Sequence, residues 1–323
     1  MNMKEYAFGI DLGGTTAKVG LFTTAGALLE KWEVPTDTSN AGEHILGNLA
    51  KAVKDKMQEN GITAEQVEGV GVGVPGPVLD SRIVPIVCAN LGGWGERNVS
   101  IQLSGLPDGI KVLVGNDAGV AALGEIWMGC AEGCRSAVMV TLGTGVGGGV
   151  VLNGKLLTGC NGAAAELGHF VIDMHGKECN CGMRGCFEQY GSVTALICQA
   201  REAMAAHKES KLWALAENEE ANVNGKVILA AYDAGDETAV QVVNTYVHYL
   251  CVGVTSIINI FQPEVLCLGG GISRRSDVLV EPIRAFNAAH GYGRSCPKQP
   301  RIMSAELFGD AGIIGAALLG KGK

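Results

Sequence analysis

The sequence of 323 residues predicts an α/β protein built from two similar halves. Each half opens with an apolar strand, a glycine-rich turn and a second strand, and later strands alternate with helical segments. The chain contains 48 glycines and 9 prolines, so glycine is near twice its usual share of about 7%. Because no proline-rich or Gly/Ser-rich linker separates the halves, we expect them to share a tight cleft.

The first half begins with a strand, a turn and a strand. Apolar side chains alternate over residues 6–12, a Gly-Gly-Thr-Thr turn follows, and residues 19–21 continue a second strand. Apolar residues at helical spacing over residues 45–53 predict a helix that ends at Gly61. Residues 67–74 then predict a buried strand.

The second half repeats this arrangement. Residues 138–142 form an apolar run, residues 143–149 a glycine-rich turn, and residues 150–152 a second apolar run. Further along, the apolar residues 265–268 lead into three glycines. This similarity is a weak internal duplication and not a short-period repeat. The small-residue segment that begins at Gly309 predicts a C-terminal helix.

Charge and cysteine content exclude several functional classes. The chain has 25 Lys and Arg against 33 Asp and Glu, for a net charge of −8, and no basic block; we therefore expect no nucleic-acid partner. Two stretches without charged residues, 136–154 and 238–263, are interrupted by glycines or polar residues, so they predict buried elements and no membrane span. Eleven cysteines without a secretory signal predict reduced thiols in a cytoplasmic protein.

The glycine turns match dinucleotide-binding patterns only superficially. The G-x-G-x-x-G over residues 143–148 runs into a strand, and the one over residues 71–76 runs into Pro77, whereas a dinucleotide fold needs a helix there. A phosphate-loop pattern at residues 149–155 lacks the hydroxyl residue that should follow its lysine. One such turn alone favours an ordinary hairpin. Two similar turns, one of them preceded by Asp11, favour backbone amides that bind phosphates beside a carboxylate that holds Mg²⁺ through water.

Three motifs carry a resemblance to a known fold. DLGGTTAK at Asp11–Lys18, LGTGVGGG at Leu142–Gly149 and LGGGI at Leu268–Ile272 resemble the two phosphate motifs and the adenosine motif of the actin, sugar kinase and Hsp70 fold. Within that superfamily the chain is similar to the ROK group of sugar kinases and repressors. The resemblance implies a two-domain actin-like ATPase of the ribonuclease H-like class, with domains at 1–118 and 119–308 and the helix at 309–323 packed back on the first domain. It assigns Mg-ATP to Asp11, Gly13, Gly14, Thr15, Thr16, Lys18, Gly143, Thr144, Gly145, Gly269, Gly270 and Gly271.

A cysteine-rich segment predicts a metal site. Three cysteines within eight positions, with a histidine upstream, supply a Cys₃His set suited to tetrahedral zinc, whereas incidental thiols rarely cluster so densely. Gly182 and Gly185 allow the loop to fold around an ion, and His175 competes as the nitrogen ligand on spacing alone. An all-protein set leaves no open position, so one Zn²⁺ would be structural. The resemblance to the ROK signature assigns the ligands to His169, Cys179, Cys181 and Cys186.

Two carboxylates flank this segment and suit the hydroxyls of a sugar. Taken singly, Glu166 is also typical of a surface helix position, and Glu188 of a helix cap or a surface ion pair. The resemblance places both, together with His169, on sugar-binding positions of the ROK family. His169 would then bind zinc through one ring nitrogen and the sugar through the other. Asn90, within NLGGW, is a further candidate sugar contact.

The candidate general base lies in the first half. Asn116 and Asp117 stand where a strand gives way to a helix, an edge at which active residues of α/β folds collect. In isolation Asp117 would more simply be a helix cap. NDAGVAALGE, from Asn116 to Glu125, resembles the ROK stretch whose aspartate takes the proton from the attacking hydroxyl, which assigns the base to Asp117 and a sugar contact to Asn116. Gly119 departs from the asparagine of many relatives without touching the base.

The resemblance as a whole implies ATP-dependent phosphorylation of the 6-hydroxyl of glucose. Kinases for N-acetylmannosamine, N-acetylglucosamine, fructose or allose are the alternatives, and polyphosphate is an alternative donor. A sugar-responsive repressor is the rival of a different class. It needs a helix-turn-helix before the first phosphate motif, and ten residues precede Asp11. The family resemblance also implies a homo-oligomer, either a dimer or a tetramer.

Overall fold

The computed structural model describes residues 4–80, 83–84, 91–99, 103 and 105–322. The strands are β1 (Tyr6–Leu12), β2 (Thr16–Thr23), β3 (Leu28–Pro35), β4 (Val67–Val74), β5 (Ile83–Val84), β6 (Arg97–Asn98), β7 (Val112–Asn116), β8 (Ala137–Leu142), β9 (Val146–Leu152), β10 (Lys155–Leu156), β11 (Val265–Gly269) and β12 (Arg301–Ser304). The helices are α1 (Ile45–Glu59), α2 (Asp117–Met128), α3 (Glu188–Gly191), α4 (Val193–Ala206), α5 (Lys211–Leu215), α6 (Gly225–Asp233), α7 (Glu237–Phe261), α8 (Val280–His290) and α9 (Ala311–Gly320). Single 3₁₀ turns include Ala64–Gln66, Leu167–His169, Glu220–Asn222, Gly271–Arg274 and Phe308–Asp310.

The first sheet has the strand order β3-β2-β1-β4-β7. β1 pairs antiparallel with β2, with Asp11 opposite Lys18, and parallel with β4. β4 pairs parallel with β7, which ends at Asn116 directly before α2. Parallel neighbours place their carboxyl ends at the same edge, so Asp11 and Asp117 come to the same side of this sheet.

The second sheet has the strand order β10-β9-β8-β11-β12. β8 and β9 enclose the predicted turn at Gly143–Gly145, and β11 pairs parallel with β12. Both sheets therefore start from a strand–glycine turn–strand unit, as the duplicated motif predicts. A short two-stranded sheet joins β5 and β6.

The chain forms two compact units. One comprises Met1–Met139, Gly149–Ala165 and Glu306–Lys323, and the other Val140–Gly148 and Glu166–Ala305. The division expected from sequence at residues 118 and 119 falls within α2, because that helix packs with the first sheet and with α9. Its residues therefore stay in the first unit, which extends to Met139 and also includes residues 149–165.

The C-terminal helix lies within the first unit and packs on β1, β4 and α2. Its backbone approaches the sheet so closely that only glycine fits beneath it. A Cβ atom on Gly9 would lie 1.9 Å from the carbonyl of Ile313, and one on Gly71 1.8 Å from that of Ala316. Two strand glycines, which cost stability in isolation, are thus explained by helix–sheet packing.

A buried carboxylate anchors the segment that leads into this helix. Glu125 is 1% exposed, and its oxygens accept hydrogen bonds from the backbone amides of Cys130, Glu306 and Leu307 at 2.9, 3.2 and 2.9 Å. A buried carboxylate needs such donors. Glu125 therefore fixes the end of α2 to the start of the C-terminal segment.

The core of the first unit follows the predicted periodicities. α1 buries Leu49 and Val53 against the inner side chains of β1, such as Ile10. Each such fully buried side chain contributes about 1.5–3 kcal/mol. The helix ends at Glu59, and Gly61 follows in the left-handed region at φ +64, so the predicted stop is confirmed. Among the described residues, no helix has the length and apolar content needed to cross a bilayer.

Candidate functional site

The first glycine turn lies between β1 and β2 and places Asp11 beside it. Thr36 braces the turn, because its hydroxyl donates to the carbonyl of Gly13 at 2.8 Å. The pKa of Asp11 is raised, chiefly because the carboxyl is buried and also because Asp117 repels its charge, whereas Lys18 lowers it. A buried carboxylate near a second carboxylate is stabilised by a cation, so this pair suits Mg²⁺ near bound phosphates.

Lys18, predicted to bind phosphate, makes a different contact. It lies opposite Asp11 in the strand pairing, and its ammonium donates to the carbonyl of Gly309 at 2.9 Å. Within the first unit Lys18 therefore links the strand that follows the turn to the segment before α9. Its role towards phosphate stays a prediction.

Asn116 and Asp117 are placed at the strand-to-helix junction predicted for them. Asn116, and not Asp117, is the N-cap of α2: its Oδ1 accepts from the amide of Gly119 at 3.1 Å, and its Nδ2 donates to the carbonyl of Gly76 at 3.2 Å. Asp117 is the first helical residue, and its Oδ1 accepts from the amide of Ala118 at 2.7 Å. The capping role that competed with catalysis for Asp117 thus belongs to its neighbour.

The second glycine turn is fixed by the helices that follow the cysteine-rich loop. The carbonyl of Gly143 accepts from the amide of Val193 at 2.9 Å. The carbonyl of Thr144 accepts from the hydroxyl of Thr194 at 2.7 Å. Because both donors lie in the first turn of α4, the start of that helix holds the turn in place.

A cavity of about 620 Å³ opens beside this turn within the second unit. Its size suits a nucleoside or a drug-sized ligand. Of the predicted residues, Gly143, Thr144 and Gly271 line it, whereas Gly145 faces Glu188. Gly270 allows close packing between strands. It has φ +95, and a Cβ atom on it would lie 2.0 Å from the carbonyl oxygen of Leu142, so only glycine lets the end of β11 pack against the end of β8. Gly269 is the buried last residue of β11.

Sequence reasoning missed several residues of this cavity. Lys226 contributes an exposed cation from the first turn of α6, which Asn224 caps by accepting from the amides of Lys226 and Val227 at 3.0 and 3.2 Å. The Asn-Gly-Lys sequence before an apolar run is an N-cap signal, but it does not indicate a ligand. The other lining residues are Leu142, Val193, Thr194, Ile197, Gly225, Leu229 and Ile272.

The predicted zinc ligands come together. One ligand atom from each of His169, Cys179, Cys181 and Cys186 lies within 4.8 Å of every other. Nδ1 of His169 is 3.7 Å from Sγ of Cys179, and the Sγ atoms of Cys181 and Cys186 are 3.5 Å apart. Among the described residues His169, and not His175, supplies the nitrogen of this cluster.

The His169–Cys179 and Cys181–Cys186 distances fit a tetrahedral zinc ion. Zn–S bonds of about 2.3 Å and Zn–N bonds of about 2.0–2.1 Å require ligand atoms about 3.5–3.8 Å apart, as both contacts are. Burial and the two neighbouring thiols raise the pKa of Cys186 to about 12. A bound cation in place of this proton would offset the unfavourable free energy of burying a charged thiolate.

Two glycines of the loop adopt backbone conformations that other residues rarely adopt. Gly182 and Gly185 adopt φ values of +91 and +72, which only glycine adopts without strain. A Cβ atom on Gly185 would also lie 1.6 Å from the carbonyl of Asp173. Phe170 and Phe187, which adjoin the ligands His169 and Cys186 in sequence, pack against each other with ring centroids 5.3 Å apart.

Glu166 and Glu188 flank the ligands of the cluster in sequence. Glu166 precedes the 3₁₀ turn Leu167–His169, and its carbonyl accepts from the amide of His169 at 3.0 Å. Ala165 before it adopts φ +66, a strained value for alanine of the kind found near functional sites. Glu188 is half-buried, and its Oε2 accepts from the amide of Val146 at 3.0 Å. Asn90 lies outside the described residues.

Comparison with known proteins identifies the family. The model of the ROK family matches residues 7–323. The chain belongs to the ROK family. It is 37% identical over 315 residues to a glucokinase of Halalkalibacterium halodurans, covering 97% of this chain and 94% of that protein. It is 36% identical over 309 residues to a glucokinase of Thermotoga maritima, covering 96% and 95%.

A solved ROK structure has the same fold. The ROK glucokinase of Streptomyces griseus, in complex with glucose and AMPPNP, superposes with a TM-score of 0.80 at 31% identity, covering 98% of this chain and 100% of that one. The expected fold class is thereby confirmed: the chain has the actin-like ATPase fold of the ROK sugar kinases.

Proposed function

We propose that this ATP-dependent hexose kinase of the ROK family phosphorylates glucose at its 6-hydroxyl. Its similarity to two glucokinases at 37% and 36% identity supports glucose as the acceptor. The residues that support the proposal most strongly lie in the second unit. A glycine turn beside a nucleoside-sized cavity is joined through Glu188 to the Cys₃His loop.

ATP would lie with its nucleoside in the cavity and its phosphates at the glycine turn Gly143–Gly145 of the second unit. Gly143, Thr144 and Gly271 line the cavity, and successive backbone amides of a glycine turn bind phosphate oxygens well. Asp11 would hold Mg²⁺, which neutralises charge on the β- and γ-phosphates. The raised pKa of Asp11 indicates that its negative charge is unfavourable in this protein alone, and a bound cation would stabilise that charge.

The sugar would be bound by Glu166, His169 and Glu188. Carboxylates accept hydrogen bonds from vicinal hydroxyls. Nδ1 of His169 lies beside Sγ of Cys179 and would bind zinc, which would leave Nε2 for a sugar hydroxyl. Asp117 would accept the proton of the 6-hydroxyl as that oxygen attacks the γ-phosphorus in line. Asn116 is held by capping and by Gly76, so its proposed function is to fix the start of α2 and to present its remaining amide hydrogen to the sugar.

Zinc would be structural. The residues that fit it are His169, Cys179, Cys181 and Cys186, which together complete a tetrahedron and leave no position for a reacting water. Held in this way, the loop fixes the ring of His169 and the start of α3, where Glu188 lies. The ordering of these two side chains is the contribution of the metal to sugar binding.

A coupled ADP-release assay over a panel of hexoses tests the proposal. We expect kcat/KM for glucose to exceed that for N-acetylmannosamine, N-acetylglucosamine, fructose and allose by at least tenfold. Such a ratio corresponds to about 1.4 kcal/mol of differential transition-state binding. A higher kcat/KM for another hexose would make that hexose the acceptor. Turnover with polyphosphate would add polyphosphate to ATP as a phosphoryl donor. Light scattering on the same preparation checks the predicted dimer or tetramer.

A further inference from the structure

We infer that Glu188 is a positioning residue that couples sugar binding to the phosphate-binding turn at Gly143–Gly145. The inference rests on the proposed function, which gives Glu188 a sugar contact. It adds that the same carboxylate holds the backbone that would receive ATP phosphates. A sugar bound to Glu188 would therefore strengthen the binding of Mg-ATP, and the nucleotide would strengthen the binding of sugar by the same factor.

The first observation is the contact between the carboxylate and the strand that leaves the turn. Oε2 of Glu188 accepts from the amide of Val146, the first residue of β9, at 3.0 Å. The carboxylate also lies close to the turn itself, since a Cβ atom on Gly145 would be 2.3 Å from Oε2. Hydrogen bonds from backbone amides to a carboxylate are shorter and stronger than neutral ones. Glu188 thus restrains both position and orientation of the turn.

The second observation is that the surrounding contacts make this segment rigid. The amide of Val193 and the hydroxyl of Thr194 hold the carbonyls of Gly143 and Thr144. From the loop that carries His169, a Cβ atom on Gly168 would meet the carbonyl of Val146 at 2.3 Å. The turn is therefore packed between elements of the sugar-binding loop, and a shift of either would move the other.

The third observation concerns the second carboxylate oxygen. Within the described part of the chain, Oε2 of Glu188 has the backbone partner, and no hydrogen bond involves Oε1. A carboxylate accepts through both oxygens, so Oε1 is available to a sugar hydroxyl while Oε2 stays on Val146. A hydrogen bond to Oε1 would fix the side-chain torsions of Glu188 and with them the position of the turn.

A matched pair of glycine substitutions tests the contact without altering Glu188. Neither Gly143 nor Gly145 has a positive φ, so alanine is compatible with the backbone at both. A Cβ atom on Gly145 displaces the carboxylate, whereas one on Gly143 meets no atom within 4 Å. We expect Gly145→Ala to weaken glucose binding about 5- to 10-fold in the absence of nucleotide, and Gly143→Ala to leave it within about twofold, measured by calorimetric titration. Equal glucose affinities for the two variants would overturn the inference.

Two substitutions of Glu188 separate its two contacts and keep the test valid if Gly145→Ala folds poorly. Glu188→Gln retains an oxygen acceptor for the amide of Val146, whereas Glu188→Ala removes it. Without sugar, we expect the affinity for Mg-AMPPNP to be near wild type in Glu188→Gln and about fivefold weaker in Glu188→Ala. Identical nucleotide affinities in the two variants would contradict the coupling role.

The same titrations distinguish failure of this inference from failure of the proposed function. If the wild-type protein binds none of the hexoses in the panel, the proposed function fails. If glucose binds and is phosphorylated but does not change the affinity for Mg-AMPPNP, the coupling alone fails. The expected result is a wild-type affinity for Mg-AMPPNP about fivefold higher with saturating glucose, a gain that Glu188→Ala abolishes.

Discussion

The carboxylate of Asp11 lies against Gly312, so closely that a Cβ atom on this glycine would be 2.5 Å from Oδ2. Gly312 is in the first turn of α9, the end of a helix that favours negative charge. The neighbouring contact from Lys18 to the carbonyl of Gly309 joins the same two segments. The C-terminal helix thus shapes the position of the residue proposed to hold Mg²⁺.

Gly312→Ala is expected to displace the Asp11 carboxylate and lower activity. We expect kcat/KM for ATP to fall at least tenfold and the Mg²⁺ concentration for half-maximal rate to rise, because the carboxylate no longer reaches its position. Steady-state kinetics over a Mg²⁺ series measure both. Gly47→Ala is the matched control: it is exposed in α1 with nothing near its Cβ, so it should keep full activity and stabilise the fold by about 0.5–1 kcal/mol. If the Mg²⁺ dependence of Gly312→Ala were the same as that of the wild type, Asp11 would not be the residue that holds Mg²⁺.

Asp11→Asn is expected to abolish activity and stabilise the protein in the absence of ligands. Burial and Asp117 raise the pKa of Asp11 in the folded state. The protonated form therefore favours folding, and this contribution is lost as pH rises through the folded-state pKa. An uncharged amide avoids the loss, so the variant should melt higher than wild type at pH 7–8, and the difference should shrink towards pH 4. Thermal unfolding of both proteins across this pH range measures the difference in melting temperature. We also expect kcat of the variant to fall at least 100-fold. A variant less stable than wild type at pH 8 would contradict it.

Local elements of the site follow from sequence, whereas its long-range contacts do not. β4 spans Val67–Val74 as its apolar run predicts, and the Cys₃His spacing predicts a cluster that the fold assembles. Nothing near Glu188 indicates that its partner is Val146, 42 residues earlier, because that contact arises from tertiary packing. Asn116 and Asp117 are both good N-cap residues; Asn116 takes the cap because β7 ends there in extended backbone.

Asp117→Asn tests the general base. The amide keeps the shape and can still accept from the amide of Ala118, so glucose affinity should stay within about threefold of wild type. Removal of the base should lower kcat by about 10²–10⁴-fold. Asp108→Asn, an exposed aspartate in the same unit, should keep full activity. If Asp117→Asn retained more than about a tenth of the wild-type kcat, Asp117 would not be the base.

Cys181→Ala tests the structural metal. One lost thiolate leaves three ligands, so zinc content should fall from near one per chain to a small fraction. The sugar KM should rise at least tenfold, because His169 and Glu188 lose their fixed positions, with a smaller rise in the ATP KM through the turn. Cys198→Ala, which removes another exposed cysteine outside the cluster, should change neither value. Elemental analysis and steady-state kinetics on both variants measure the zinc content and the sugar KM. A zinc-free protein with the wild-type sugar KM would refute the structural role of the metal.

Arg275 and Asp233 are expected to set the width of the nucleotide cavity. The guanidinium binds both carboxylate oxygens of Asp233 at 2.9 Å and so joins the end of α6 to the residue after the turn Gly271–Arg274. The start of α6 and the start of that turn line the cavity. Asp277 holds the same guanidinium at 2.8 Å, and Arg275 lowers the pKa of Asp277. Because the pair is partly exposed, it is worth about 0.3–1 kcal/mol.

Arg275→Gln should therefore raise the KM for ATP about two- to fivefold and leave the sugar KM unchanged. Asp233→Asn should have the same effect, and the double variant should be no worse than either single one, since each removes the same pair. High salt should raise the ATP KM of the wild type by a larger factor than that of the variants, because only the wild type also loses the Arg275–Asp233 pair. Asp277→Asn is the control: it removes a neighbour of Arg275 but not the link to α6, so its ATP KM should stay within twofold of wild type. Additive effects of Arg275→Gln and Asp233→Asn would show that the two residues act separately and not as a link across the cavity.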